Sequence, residues 1–431
     1  AGSLSRADTT APGYRISAVA PVPVPFASRA VLDDGNIVSF DGEACTLRAP
    51  NGALLQSLGT TGAGPAFPSF VIVDPAESFA VVGESSNQRL YKVNLGSGGM
   101  QLMGTLMFNF AACFESTNTI IVSAAASGFF APNEFFRVHT DTFVQTPLGS
   151  APGPSGPVAV NDAGDLYYAV QPPFFPTPAG AVSVVRWTAA DLQGGTIDEF
   201  NWDVFASNLD GGSSLAFDPV FGHLFLAAPT SSGTENPILE FDSNGQVLGS
   251  VASTGSKWCS GLQFRELTGS GAFGAFQPGG VALVYEATDF GSIDDLVTVE
   301  PERPTLTMRG PGLGGVGPVR LRVTGADPAG FVVLWRGNAA NVAPSEQLFD
   351  LGQEFLIHSR LAPATIQTFL GLLQQPPAAL DLFSRWYFVP ANGVLDIAFL
   401  NRPGTGGQYA FQAALLDANG RLRGVTEVAF N

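Results

Sequence analysis

Five side chains between positions 109 and 218 are of the types that hold a hard divalent cation: Asn109, Glu115, Asn161, Asn208 and Asp218. Calcium takes roughly six to eight oxygen ligands, so amides and carboxylates gathered at one mouth of a channel could hold it for a hydrolase or lactonase. The spacing argues against one mouth. Asn109 and Asn208 precede apolar runs, whereas Glu115, Asn161 and Asp218 follow them, which divides the five between opposite ends.

Other chemistry-bearing residues are sparse. In "GPVAVNDAGDLYYAV" (156–170), Asp162, Gly164 and Asp165 cluster between two apolar runs, yet an EF-hand loop needs further ligands at fixed positions and a Glu at the twelfth. The cluster reads as a hairpin turn, with Asp and Asn bonding the local backbone and Gly supplying positive φ. His139, His223 and His358 are the only histidines, and no two lie at metal-ligand spacing. Neither H-E-x-x-H nor G-x-S-x-G occurs. Cys45, Cys113 and Cys259 are too few and too dispersed for a disulfide scaffold or a zinc site, and read as buried thiols. The glycine-rich stretches "GSGAFG" and "GPGLGGVGP" (310–318) do not sit between a strand and a helix, as a phosphate cradle requires, and read as turns. No cofactor and no metal is expected.

The elements that would position these residues follow from composition and period. With 431 residues, 45% hydrophobic and 13% charged, the chain is long enough for two or three domains. A net charge of −17, with two lysines, Lys92 and Lys257, against eighteen arginines, excludes the basic footprint of nucleic-acid binding. No run of apolar residues is long enough to span a membrane. Gly, Pro and Phe are abundant (51, 32 and 34 residues), a mixture that suits short strands joined by tight turns.

Six times an apolar run meets a turn and a second apolar strand: "AVLDDGNIVSF", "VIVDPAESFAVV", "ACFESTNTIIVS", "VAVNDAGDLYYAV", "LAFDPVFGHLFLA" and "LQFRELTGSGAFGAF". Equivalent residues Leu32, Val73, Phe114, Val160, Phe217 and Phe264 are 41, 41, 46, 57 and 47 apart, the length of one four-stranded blade. Such sheets cannot bury both faces alone, whereas radial stacking covers them. The fold class is therefore all-β: a six-bladed β-propeller over residues 1–300, with 14–21 ("YRISAVAP") closing the ring, followed by an Ig-like or jelly-roll-type β-sandwich over 305–431. A linker around Pro301 and Pro304 separates them. Ile366, Phe369, Leu370 and Leu373 predict a short helix within 362–380.

The stretches "VRLRVTGADPAGFVVLWRG" (319–337) and "GQYAFQAALLDANGRLRGVTEVAFN" (407–431) resemble a C-terminal β-sandwich module of secreted bacterial proteins. The pattern is an aromatic, Phe-Gln-Ala, two aliphatics, Asp and an Asn-Gly turn. It spans about 125 residues and implies export but no chemistry. The N-terminal part resembles NHL-like six-bladed propellers in period and turn style. The opening "AGSLSRADTT", without Met, fits either removal of a signal peptide or trimming of the chain, and we expect a secreted or cell-surface protein.

A mean hydropathy of +0.21 with so few charges points to apolar surface hidden in an assembly. The function expected from the sequence is a non-enzymatic structural or interaction component with a protein partner or self-assembly. Phe129, Phe130, Phe174 and Phe175, on two proline-rich loops of neighbouring blades, are its candidate contact residues. Two alternatives stand beside it. One is a glycan-binding propeller, although Trp187, Trp202 and Trp258 do not recur at equivalent blade positions. The other is the calcium-dependent propeller hydrolase or lactonase.

Overall fold

The computed structural model describes residues 8–11, 14–22, 27–128, 131–172, 177–218, 222–230, 233–266, 281–288, 294–301, 305–309, 317–326, 330–338, 348–350, 356–358, 386–390, 393–401, 409–416, 422–426 and 429–430. Contacts divide the chain into two compact units, Ala1–Ala11 with Ile16–Glu300 and Pro12–Arg15 with Pro301–Asn431.

Two strands open the chain and join sheets formed far downstream, β1 (Thr9–Thr10) and β2 (Tyr14–Val22). Four antiparallel sheets follow in sequence. The first is β3 (Ser28–Val31), β4 (Ile37–Phe40), β5 (Ala44–Arg48) and β6 (Leu54–Thr60). The second is β7 (Pro68–Val73), β8 (Phe79–Glu84), β9 (Arg89–Asn94) and β10 (Met100–Thr105). The third is β11 (Asn109–Ser116), β12 (Thr119–Ala124), β13 (Asn133–His139) and β14 (Gln145–Ala151). The fourth is β15 (Val158–Val160), β16 (Leu166–Val170), β17 (Val182–Trp187) and β18 (Asp203–Leu209).

In the fifth sheet β19 (Ser214–Phe217), β20 (Leu224–Ala227), β21 (Pro237–Phe241) and β22 (Val247–Ser253) are joined at the outer edge by β1. The sixth is built from both ends of the unit. There β23 (Trp258–Glu266), β24 (Val281–Thr288) and β25 (Asp294–Pro301) are completed by β2. Inner strands touch in cyclic order, β3 with β7, then β11, β15, β19 and β23, and β23 returns to β3. Six blades, the fifth widened by β1 to five strands, thus surround one axis.

Burial explains the ring. Each blade is apolar on both faces, and the buried residues fall into clusters that join neighbours: Phe40 and Leu58 of blade one meet Val82 and Tyr91 of blade two. Phe135 of blade three lies 5.1 Å from Tyr168 and 5.3 Å from Trp187 of blade four, both edge-on. Phe225 and Phe264 connect blades five and six at 5.0 Å. Fully burying one such side chain contributes about 1.5–3 kcal/mol.

The acidic turns close hairpins. Asp74 Oδ1 accepts the amides of Ser78 at 2.6 Å and Phe79 at 2.7 Å, and Asp242 Oδ1 accepts those of Asn244 and Gln246. In the 156–170 stretch, Asn161 Oδ1 accepts the Asp165 amide at 2.9 Å, Gly164 has φ +82°, and Asp165 Oδ1 accepts the Ala189 amide at 3.0 Å. The cluster is a turn that also anchors the next insertion. That insertion, in blade four, carries a helix the sequence reading did not anticipate, α1 (Ala189–Gly194), with a reciprocal Thr188–Asp191 capping box and Gly195 as left-handed C-cap. It accounts for the long spacing between Val160 and Phe217.

In the second unit, β26 (Thr305–Arg309) and β27 (Gly317–Thr324) pair in one sheet with a later strand, and β28 (Phe331–Asn338) belongs to another. A hairpin of β29 (Leu348–Asp350) and β30 (Leu356–His358) follows, then β31 (Trp386–Phe388), β32 (Leu395–Asn401), β33 (Tyr409–Leu416), β34 (Leu422–Val425) and β35 (Ala429–Phe430). The sheets run β26-β27-β32 and β31-β28-β33-β34, with β35 also on β33. Leu321, Val323 and Leu395 of the first share one core with Val332, Leu334 and Phe411 of the second. The helix expected within 362–380 lies outside the described residues.

Candidate functional site

The inner strands enter the ring at their N-terminal ends, and there they surround a cavity of ≈ 360 Å³. All six blades contribute to its wall: Arg29, Ser69, Phe110, Val158, Ser214 and Ser260 each lie within the first three residues of an inner strand. The cavity therefore lies on the axis. Three of these positions are β-bulges, where the register shifts between Pro68 and Phe70, between Asn109 and Ala111, and between Cys259 and Gly261. The extra residues are Ser69, Phe110 and Ser260, and all three line the cavity. A bulge re-aims a side chain that regular pleating would turn elsewhere.

The charged groups sit at the seam where the last blade meets the first. Arg29, on β3, donates from Nη1 to Glu286 of β24 and, at 3.1 Å, to Asp294 at the start of β25. All three side chains are buried. Charged residues go inside only when paired, so this cluster of three in the cavity wall is a built feature. Burial pushes the Glu286 carboxyl up to about 7, against the pull of Arg29, while the Asp294 charge adds to the rise and a hydrogen bond from Ser260 opposes it. A carboxyl poised there accepts and returns protons near neutral pH.

The cation-binding residues expected from the sequence do not assemble here. Asn109 is buried at the start of β11, where Nδ2 donates to the carbonyls of Glu84 at 2.9 Å and Leu106 at 3.0 Å and Oδ1 accepts from Ser69. Asn208 is exposed on β18. Glu115, at the far end of β11, is bound by Arg137 at 2.6 Å. Asn161 closes its turn, and the backbone of Asp218 holds the next hairpin through the carbonyl of His223. None of the five lines the axial cavity.

Among the described residues no group of three or more His, Cys, Asp and Glu side chains converges. The acidic residues of the cavity wall, Glu286 and Asp294, are bridged by one guanidinium, so a divalent cation placed between them would meet a fixed positive charge. The calcium of a lactonase does not fit these residues.

Two of the histidines serve locally: His139 Nδ1 accepts the amides of Asp141 and Thr142, and His223 Nδ1 lies 2.8 Å from Glu240. Trp187 is core, donating to the Asp198 carbonyl at 2.9 Å, and lies 5.8 Å from Trp202. Trp258 alone of the three tryptophans singled out in the sequence lines the cavity. The cysteines are free, and burial pushes the Cys45 thiol up to about 12. Phe129, Phe130, Phe174 and Phe175 lie outside the described residues.

Sequence reasoning missed Arg29, Glu286 and Asp294. A signal was available. Glu286 is the only charge in "VALVYEAT", a run with no polar alternation, and Arg29 interrupts the apolar "FASRAVL".

No family model matches this chain, and no curated protein matches it either. Solved structures similar to it include a gluconolactonase from Xanthomonas campestris, at 15% identity and TM-score 0.46, over 66% of this chain and 91% of that one. The soluble aldose sugar dehydrogenase from Escherichia coli is similar at 10% identity and TM-score 0.46, over 67% and 100%. The pyranose dehydrogenase PQQ domain from Coprinopsis cinerea is similar at 10% identity and TM-score 0.43, over 68% and 97%. These neighbours are named as enzymes, whereas the expectation from the sequence was a non-enzymatic structural component.

Proposed function

We propose that the axial cavity is the active site of a hydrolase acting on a small ester or lactone, with Glu286 as general base. The observation that carries this reading is the placement of Glu286, a carboxyl held at about 7 in the wall of a ligand-sized cavity beside one fixed cation. Hydrolysis needs no co-reactant but water. The Glu286 carboxylate takes a proton from a water molecule as its oxygen adds to the substrate carbonyl carbon. When the tetrahedral adduct collapses, the bond from carbon to the leaving oxygen breaks and the proton passes from Glu286 to that oxygen. Arg29 holds Glu286 in one orientation and Asp294 holds Arg29. Ser260, on its bulge, bonds the same carboxyl.

The reading shares its reaction class with the gluconolactonases of similar fold. The test is hydrolysis of a panel of lactones and simple esters by the full chain and by Glu286→Gln. Loss of a general base lowers kcat by about 10²–10⁴. Undiminished turnover in Glu286→Gln places the chemistry elsewhere.

A further inference from the structure

The wall of the axial cavity is divided. In blades five, six and one it carries Ser213, Ser214, Gln263, Glu286, Asp294 and Arg29 among apolar residues such as Trp258 and Val284. In blades two, three and four it is made by Phe67, Phe70, Phe110, Ala112, Pro157 and Val158, together with neighbouring aliphatics. The one polar side chain of that half is Ser69, and its hydroxyl is spent on Asn109 Oδ1. Phe67 and Phe110 are 53% and 38% exposed, although rings of that size are normally buried.

We infer that the substrate is amphipathic: its reacting ester or lactone group lies at the seam of blades six and one, and an alkyl or aryl group lies against Phe67 and Phe110. This rests on the reading of the cavity as an active site. A polyhydroxylated ring fits poorly, because each hydroxyl turned towards blades two to four gives up its water partners without finding another. An apolar group covers the two exposed rings and leaves no polar atom unpaired. The division thus sets this cavity apart from one built for a sugar.

Two ring ethers that cannot be hydrolysed separate binding from turnover: 2-pentyltetrahydropyran, with an alkyl arm, and 1,5-anhydroglucitol, with hydroxyls. Calorimetric titration of the full chain is expected to show the alkyl ether binding at least about tenfold more tightly. Phe67→Ser with Phe110→Ser is expected to cut that preference to about threefold or less, with the melting temperature held, since both rings are exposed. Phe67→Ser alone serves if the double variant melts early. Equal or tighter binding of the polyol, failure of both to bind, or a preference unchanged by the substitutions overturns the inference. Binding as expected without turnover of any lactone or ester leaves the inference standing and overturns only the reaction class.

Discussion

Arg29 and Asp294 are 265 positions apart in sequence and meet at 3.1 Å, joining the first inner strand to the last blade. The same guanidinium holds Glu286, so one residue both fastens the seam of the ring and sets the state of the proposed base. Arg29→Leu leaves two carboxyls buried without their cation, at a cost of about 3–5 kcal/mol. Denaturant unfolding reads the loss. A change below about 1 kcal/mol would show that the seam does not depend on this cluster.

A second buried cation ties down the N-terminal segment. Lys257 Nζ bonds Asp295 at 2.6 Å and Asp8 at 3.0 Å. Burial favours the neutral amine, but these two bonds hold its pKa above the ordinary lysine value. Lys257→Met is expected to destabilise by about 3 kcal/mol. Removing residues 1–22 takes β1 from blade five and β2 from blade six, and is expected to expose sheet edges and cause aggregation. A truncated chain that stays soluble with an unchanged melting temperature contradicts this.

Stability and activity should move oppositely with pH. The folded pKa of Glu286 is raised, so the folded state keeps a proton that the unfolded chain has already released. That contribution is present in full below about pH 4.5 and is lost as pH rises through about 7. The melting temperature of the wild type is expected to fall across this window, and Glu286→Gln to flatten the fall. A wild-type melting temperature that rises from pH 5 to 7 contradicts the assignment.

Gly149 tests the blade-four insertion. Ile197 pairs with it in parallel, donating its amide to Leu148 O at 2.9 Å and accepting from Ser150 N at 3.1 Å. Gly149 has φ +148°, and a Cβ there would run into the Ile197 carbonyl. Gly149→Ala is expected to cost at least about 2 kcal/mol by thermal or denaturant unfolding. A neutral substitution would show that the insertion moves away freely.

The blade repeat was legible because it is written in strand period and turn chemistry: Asp74, Asn161 and Asp242 mark their hairpins with the residues that close them. The helix α1 was not, since six residues are too few for a helical period to show. The candidate site was hidden for a different reason. Arg29, Glu286 and Asp294 come from opposite ends of the propeller sequence, and only ring closure brings them together. Asn109 and Glu115 have the right chemistry, but their side chains are spent on local partners. The bulges that bring Ser69, Phe110 and Ser260 to the cavity depend on pairing register, which a single strand does not display.

In the proposed mechanism Glu286 is the proton acceptor of the reaction in the axial cavity. It is tested most directly by kcat/KM against pH, from 5 to 9, for the lactone or ester turned over fastest. The wild type is expected to gain activity with an inflection near 7, as the carboxylate forms, and then to level off. Glu286→Gln should lose about a hundredfold or more and lose the inflection with it. A Glu286→Gln profile that keeps the wild-type inflection and rate would contradict the account.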